Sequence, residues 1–149
     1  ALDDWFRNRA GQDQRRNVAQ VTVAIDAKLG IVGFYSLSTL SIVSRDLPDK
    51  LARKLPRYGE IPAILIGRLA RDVRVRGQDV GEQLMTDAID RILTISREVG
   101  VYAIVVDAKD DWAIDFYRTF GFQPFPSHFK RLFLPVATAH TAQIDSQSK

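Results

Sequence analysis

The pattern of apolar and polar residues predicts that helices and strands alternate along the chain. Residues 2–17 are polar with apolar side chains on one side, which is typical of an amphipathic helix. β-Branched residues are enriched at 18–26, and a second β-type segment follows at 31–37. The four residues between them, 27–30, end in glycine, so the pattern predicts a hairpin.

The second half of the chain continues the alternation with longer elements. The expected elements are a short helix between prolines at 47–57, a strand at 61–70, a long helix at 81–99, a strand at 101–107, a helix from Asp110 or Asp111 to Phe120, and a strand at 129–134. Residues 139–149 are polar, and we expect a flexible tail there. The alternation predicts one α/β (α+β) domain over residues 1–138, with a mixed central sheet.

Composition excludes several kinds of site. The chain has no cysteine, which excludes disulfides, thiolate metal sites and a cysteine nucleophile. His128 and His140 are its only histidines, too few for a histidine-rich metal site, so we expect no metal. No apolar run approaches the roughly 20 residues that a membrane-spanning helix needs. These features are compatible with the cytoplasm, where we expect the protein to act.

The basic residues are clustered, although the net charge is only +3. Such clusters can follow a phosphate backbone or form a solvated polar face, and the pattern leaves both interpretations open. The candidates for contacts with a nucleic acid are Arg7, Arg15, Arg16, Lys50, Arg53 and Lys54.

The segment 68–84 predicts an anion-binding turn. An apolar strand ends in a basic, glycine-bearing turn, and an amphipathic helix follows. The first N–H groups of a helix lack partners and carry partial positive charge, so they favour phosphate groups. Gly77 and Gly81 permit a close approach or unusual dihedral angles, and Arg74 and Arg76 can pair with phosphate oxygens. A plain strand-to-helix turn is the alternative.

These residues carry a family resemblance. From Ile64 to Phe122 the chain resembles the GNAT-fold N-acetyltransferases, whose pyrophosphate turn follows the pattern Gln/Arg-x-x-Gly-x-Gly/Ala. The matching segment is 76–81, in which Asp79 replaces the middle glycine. Most of the chain also resembles the acetyltransferase toxins of bacterial toxin–antitoxin pairs. The segments that carry this second resemblance are Leu2-Asp-Asp-Trp-Phe6, Gln12-Asp-Gln-Arg-Arg16, Gly33-Phe-Tyr-Ser-Leu37, Leu55-Pro-Arg-Tyr58, Gly67-Arg-Leu-Ala70, Val105-Val-Asp-Ala-Lys109, Phe116-Tyr-Arg-Thr-Phe-Gly-Phe122 and Arg131-Leu-Phe-Leu-Pro135.

The resemblance implies a fold, an activity and partners. The fold is a mixed, mostly antiparallel sheet flanked by helices, and the activity is transfer of acetyl from acetyl-CoA to the α-amino group of aminoacyl-tRNA, which blocks translation. It implies that Tyr117 is catalytic. It also implies a ribbon-helix-helix antitoxin as partner, and often a homodimer. The family's strand before the first helix has no counterpart in residues 1–17. The residues that the resemblance assigns to acetyl-CoA are Leu69, Ala70, Arg71, Arg76, Gly77, Gln78, Asp79, Val80 and Gly81.

The chemistry of amine acetylation favours the same role for Tyr117. A phenol with a pKa of about 10 can donate a proton to a departing thiolate. An α-amino group, with a pKa of about 7.7–8.0, is partly neutral at cellular pH, whereas a lysine at about 10.4 needs a strong base. No glutamate or histidine is obviously placed as that base, which favours an α-amine as substrate. The alternative for Tyr117 is packing beside Phe116, Phe120 and Phe122.

Asp79 is the main departure from the family pattern. A carboxylate near a pyrophosphate costs up to ~3 kcal/mol at an effective dielectric constant of about 20. Asp79 and Glu82 also have the spacing of a capping box, so Asp79 can cap the helix instead. We expect reduced but real affinity for acetyl-CoA.

Three aromatic residues have two possible roles. Phe34, Tyr35 and Trp112 could stack on a nucleic-acid base. The alternative places Phe34 and Trp112 in the core and Tyr35 at the substrate cleft.

Two other functions are compatible with the sequence. One is acetylation of a small amine or a peptide N-terminus. The other is a non-enzymatic basic module that binds RNA or a partner protein and has an impaired cofactor site.

Overall fold

The computed structural model of the chain describes residues 17–57 and 59–147. Residues 2–16 of the helix expected at 2–17, with Arg7, Arg15 and Arg16, lie outside these ranges, as does Tyr58. The helices and strands are, in chain order, β1 (Gln20–Asp26), β2 (Gly30–Ile42), α1 (Asp49–Ala52), β3 (Ile61–Arg71), α2 (Val80–Ile95), β4 (Ala103–Asp107), α3 (Asp111–Arg118), β5 (Gln123–Phe125), β6 (His128–Pro135) and α4 (Val136–Gln147).

The six described strands form one sheet in the order β1-β2-β3-β4-β6-β5. The pairs β1/β2, β4/β6 and β5/β6 are antiparallel. Gly30, at φ +80°, ends the turn between β1 and β2, and the Asp26 carboxylate accepts the N–H groups of Lys28 and Leu29 there. A mixed sheet with helices and antiparallel pairs confirms the predicted fold class.

The described chain divides into two compact units. The first contains residues 17–38 and 66–91, and the second contains the remaining described residues. In the first unit, Gly33 of β2 lies against α2 and the end of β3. A Cβ atom at this position would lie 2.8 Å from Leu84 Cδ1 and 3.0 Å from the carbonyl oxygen of Ala70. Glycine therefore allows these elements to pack closely.

The second unit is built on an apolar cluster of strand and turn residues. Phe125 and Phe133 are at its centre, with ring centroids 4.9 Å apart. Leu47, Leu51 and Leu55 anchor the segment around α1 to the same cluster. The other buried members are Ile42, Ile61, Ala63 and Val105. Leucines within and on both sides of the short helix α1 thus fix its position in the second unit.

Two helices differ most from the predicted ones, and α2 ends at Ile95 rather than at the predicted residue 99. The helix expected at 47–57 is limited to α1, because Pro48 occupies its N-cap and the chain turns at 53–55. Where a flexible tail is expected from residue 139, the structure contains α4, and Ala139 is buried. This helix has little amphipathic pattern, which explains why its sequence indicates a tail.

The strand β5 was not predicted. It has only three residues and contains Pro124, which removes one N–H donor. The predicted cap of α3 is confirmed: the Asp110 carboxylate accepts the N–H of Ala113 at 2.8 Å. The chain leaves the end of this helix through Gly121, at φ +99°.

Candidate active site

The turn between β3 and α2 lies in the first unit and has a fixed backbone. Asp72 follows the strand and accepts the Arg74 N–H at 2.8 Å, which starts a 3-10 turn. Gly77 and Asp79 both have left-handed backbone conformations, at φ +85° and +60°. Between them, the Gln78 N–H donates to the carbonyl of the 3-10 turn's last residue. The chain therefore enters α2 through a sharp reversal.

The start of α2 provides main-chain donors for an anion. The first hydrogen bond of the helix joins the Gln83 N–H to the Asp79 carbonyl oxygen at 3.0 Å. The N–H groups of Val80, Gly81 and Glu82 precede it and so have no acceptor within the helix. The partial positive charge of the helix N-terminus adds to their attraction for a phosphate group. This donor set fits the pyrophosphate of acetyl-CoA.

The backbone at Asp79 explains the departure from the family pattern. A left-handed conformation favours glycine, and aspartate tolerates it better than most other residues. The carbonyl of Asp79 begins α2, as capping requires. Among the described residues, however, no hydrogen bond of its side chain is found, so the capping-box interpretation is supported only at the main chain. The carboxylate is exposed beside the donors.

Two arginines of the turn have different environments. Arg74 forms an ion pair with Asp72 at 2.8 Å, so its charge is partly neutralised. Arg76 is exposed at the end of the 3-10 turn and forms no ion pair with another described residue. Leu69, Ala70 and Arg71 are the last three residues of β3. The predicted cofactor residues thus form one continuous strand, turn and helix start.

Tyr117 lies on α3, in the second unit, and its side chain is buried. It is 8% exposed, and its ring contacts Phe116 and Phe122 at centroid distances of 5.6 and 5.9 Å. Burial raises the pKa of the Tyr117 phenol, and the Asp107 carboxylate raises it further. The phenol therefore stays protonated at neutral pH, which suits a proton donor rather than a base.

Tyr35 lies in the first unit, where a cavity of about 240 Å³ is bounded by β1, β2 and α2. Its side chain is fully buried, and its hydroxyl donates to Asp87. Burial and this hydrogen bond raise the pKa of Tyr35 to about 12. Arg91 Nε donates to the same carboxylate at 3.1 Å. The tyrosine hydroxyl is thus held inside its own unit, and its predicted contact with substrate stays a prediction.

The predicted basic residues of the second unit lie at α1. Lys50, Arg53 and Lys54 are all exposed. Of the three, only Arg53 lines a groove, which it shares with Arg45 and Arg57. Arg45 was not among the predicted residues, because its approach to Arg53 depends on how the chain folds back between β2 and α1.

The aromatic residues are divided between core and surface. Phe34 is buried, as one of the two interpretations expects. The interpretation of Trp112 as a core residue is wrong, since it is 65% exposed. It stacks on Phe116, with ring centroids 5.6 Å apart and planes 8° from parallel. The first turn of α3 begins at the surface, which leaves only one face of the indole covered.

The described residues contain no group of three or more histidine, aspartate or glutamate side chains that could hold a metal ion. Within residues 17–57 and 59–147, no helix has the length and apolar character needed to cross a membrane.

Comparison with known proteins gives close relatives. No profile of a protein family matches the chain. A probable toxin TacT of Sinorhizobium fredii is 34% identical over 145 residues, which cover 92% of this chain and 80% of that protein. A tRNA-acetylating toxin of Mycobacterium tuberculosis is 34% identical over 140 residues, which cover 93% of this chain and 82% of that protein.

Two solved structures share the fold. AtaT complexed with acetyl-methionyl-tRNAfMet matches with a TM-score of 0.86 and 25% identity, over 95% of this chain and 85% of that one. AtaTR bound with AcCoA matches with a TM-score of 0.80 and 25% identity, over 95% and 84%. With its strand–turn–helix anion site and relatives of this identity and coverage, the chain belongs to the GNAT-fold acetyltransferase toxins of bacterial toxin–antitoxin systems.

Proposed function

We propose that the protein is an acetyl-CoA-dependent N-acetyltransferase that acetylates the α-amino group of aminoacyl-tRNA and so blocks translation. The observation that carries this proposal is the 34% identity with a tRNA-acetylating toxin over 93% of the chain. The match to AtaT complexed with acetyl-methionyl-tRNAfMet supports the same substrate class. Charged tRNA is a cytoplasmic substrate, so the activity is expected in the cytoplasm.

Acetyl-CoA would be held by the first unit. The main-chain N–H groups at 80–82 and the exposed Arg76 are suited to its pyrophosphate, because they present donors and positive charge at one turn. The main chain of 69–71, at the end of β3, would pair with the pantetheine amides. When bound, acetyl-CoA supplies the acetyl thioester. The match to AtaTR bound with AcCoA supports this cofactor.

Tyr117 would act as the proton donor. Its raised pKa keeps a proton on the phenol oxygen at neutral pH, and its aromatic neighbours hold the ring in one orientation. After donation, the proton that the substrate nitrogen loses as the amide forms restores the phenol. An α-amine needs no strong base for the first deprotonation, because its pKa of about 7.7–8.0 leaves a neutral fraction.

Two partners complete the proposal. A ribbon-helix-helix antitoxin would neutralise the protein, and a second copy of the chain would form a homodimer. Family membership supports the antitoxin, since these toxins are encoded in toxin–antitoxin pairs. Sedimentation of the protein alone and with the antitoxin would measure both assemblies.

Acetyl transfer to charged tRNA is the direct test. The protein is incubated with labelled acetyl-CoA and a mixed pool of aminoacyl-tRNA, with deacylated tRNA as control. Label in the charged pool alone is the expected result, because only charged tRNA carries an α-amine. Label in a peptide or small amine but not in tRNA would show that the enzyme acetylates another class of acceptor. Calorimetry without saturable acetyl-CoA binding would instead indicate a non-enzymatic module.

A further inference from the structure

We infer that the groove lined by Arg45, Arg53 and Arg57 binds the phosphodiester backbone of the substrate RNA. This inference rests on the proposed function, because it assigns a binding surface to the tRNA of that reaction. The groove belongs to the second unit and has a volume of about 560 Å³. That volume exceeds what one phosphate needs and lies in the range of pockets for nucleotide-sized ligands.

The groove is formed by a chain reversal between β2 and β3. A 3-10 turn at Ser44–Asp46 follows β2, and α1 begins three residues later. The N–H groups of Lys54 and Leu55 then turn back onto carbonyls of α1, at 3.1 and 3.2 Å. The apolar cluster of the second unit holds the leucines of this segment. The lining residues are Ser44, Arg45, Asp49, Ala52, Arg53, Leu55 and Arg57.

The charges of the groove are unbalanced. Three guanidinium groups and one carboxylate, Asp49, line it, which leaves an excess of two positive charges. In the described part of the chain, none of these arginines lies within ion-pair distance of a carboxylate. Elsewhere Arg74 forms an ion pair with Asp72, Arg91 with Asp87, and Arg131 with Asp107. Unpaired guanidinium groups that converge on one groove are suited to bridging anions.

Ser44 adds a hydroxyl to the same groove. Its oxygen makes no hydrogen bond to another described residue, and since no described side-chain oxygen or nitrogen is buried without a partner, this oxygen is open to solvent. The hydroxyl can therefore form a hydrogen bond with a ligand in the groove. Ala52 and Leu55 supply apolar surface beside it. A nucleotide uses both kinds of surface, because its phosphate accepts hydrogen bonds and its ribose and base offer apolar faces.

The experiment compares two triple variants with equal loss of charge. R45Q/R53Q/R57Q removes the guanidinium groups of the groove. K28Q/R97Q/K130Q removes three exposed charges from residues that do not line it. Binding of uncharged tRNA is measured by fluorescence anisotropy at several salt concentrations, and acetylation of charged tRNA gives kcat and KM. Thermal melting of each variant reports its folding.

The groove variant is expected to raise the Kd for tRNA roughly 10- to 100-fold. Its slope of log affinity against log salt should fall by about three, one for each lost phosphate contact. The KM should rise while kcat at saturating tRNA is kept. Equal effects of the two triple variants would overturn the inference, because they would show that bulk charge attracts the RNA. If R45Q/R53Q/R57Q does not fold, R45Q alone should reduce the slope by about one.

The outcomes separate this inference from the proposed function. If the unchanged protein acetylates charged tRNA but the groove variant binds tRNA normally, the groove inference is wrong and the proposed function stands. If tRNA binding depends on the groove but charged tRNA is not acetylated, the groove inference stands and the proposed function is wrong. Binding of an acidic peptide but not of RNA would overturn the inference in favour of a protein partner.

Discussion

Asp107 and Arg131 occupy directly opposed positions on β4 and β6, and two hydrogen bonds of 2.7 and 2.9 Å join their side chains. The carboxylate of this pair raises the pKa of Tyr117, second to the effect of burial. Arg131 limits that influence, because its guanidinium neutralises the carboxylate. The net charge of the pair therefore affects the pKa of Tyr117, whose phenol we propose as the proton donor.

Replacing Asp107 by asparagine should shift the alkaline limb of activity to lower pH. Tyr117 must be protonated to donate, so activity falls as pH rises through its pKa. The negative charge of Asp107 raises that pKa, and the variant removes the charge while Arg131 keeps its own. The pH profile of kcat/KM measures the shift. An alkaline limb that moves upward or stays in place would contradict the role of the carboxylate.

Tyr117→Phe should fold and bind acetyl-CoA but lose roughly 10²- to 10⁴-fold in kcat. The ring contacts with Phe116 and Phe122 do not involve the hydroxyl, so the melting temperature should change little. Tyr102→Phe is the matched control, since burial also raises the pKa of this second-unit tyrosine. Full activity of the Tyr117 variant would remove the phenol from the mechanism.

Substitutions of Asp79 separate charge from backbone strain. Asp79→Asn removes the carboxylate and retains tolerance of the left-handed conformation, so it should tighten acetyl-CoA binding at unchanged stability. Asp79→Gly should also tighten acetyl-CoA binding, and it should raise the free energy of unfolding because glycine adopts the left-handed conformation without strain. Asp79→Ala should lose about 1 kcal/mol of unfolding free energy, because alanine disfavours this conformation. Calorimetric titration and thermal melting test the series, and equal affinity in all variants would show that the charge is irrelevant.

Tyr35→Phe should lower the free energy of unfolding by about 1–2 kcal/mol, because it removes a buried donor to Asp87. The folded pKa of about 12 exceeds the ordinary value of 10. The folded state therefore holds this proton more tightly, and the resulting stability is complete below pH 10 and is lost as the pH rises towards 12. Urea unfolding at about pH 8 and pH 11 should show the difference between the proteins shrinking. A constant difference would argue against the raised pKa.

Gly33→Ala should destabilise the first unit by about 1–3 kcal/mol. Its Cβ would meet Leu84 Cδ1 at 2.8 Å and the main-chain oxygen of Ala70 at 3.0 Å, and the second contact cannot be relieved by a side-chain rotation. Gly100→Ala is the control, because nothing lies within 4 Å of a Cβ there. Equal melting temperatures for the two variants would show that the packing of α2 adapts freely.

The sequence predicts the parts of the site that are local in the chain. The turn from Arg76 to Gly81 and the Asp110 cap are encoded within a few residues, so pattern and composition are sufficient for them. The partners of Tyr35 and the approach of Arg45 to Arg53 depend on contacts between distant segments. The exposure of Trp112 was also beyond prediction, because an aromatic residue at the start of a helix has the same local pattern whether the helix begins inside or at the surface.

The anion site at the start of α2 is made of main-chain groups, and this affects which point mutations can abolish toxicity. Most point mutations at Val80 or Glu82 change a side chain and leave the N–H donor in place, and only a change to proline deletes it. Survivors of a growth selection against this toxin should therefore carry few substitutions at these two codons. They should instead concentrate at codons such as that of Tyr117, where one atom of a side chain performs the chemistry that we propose.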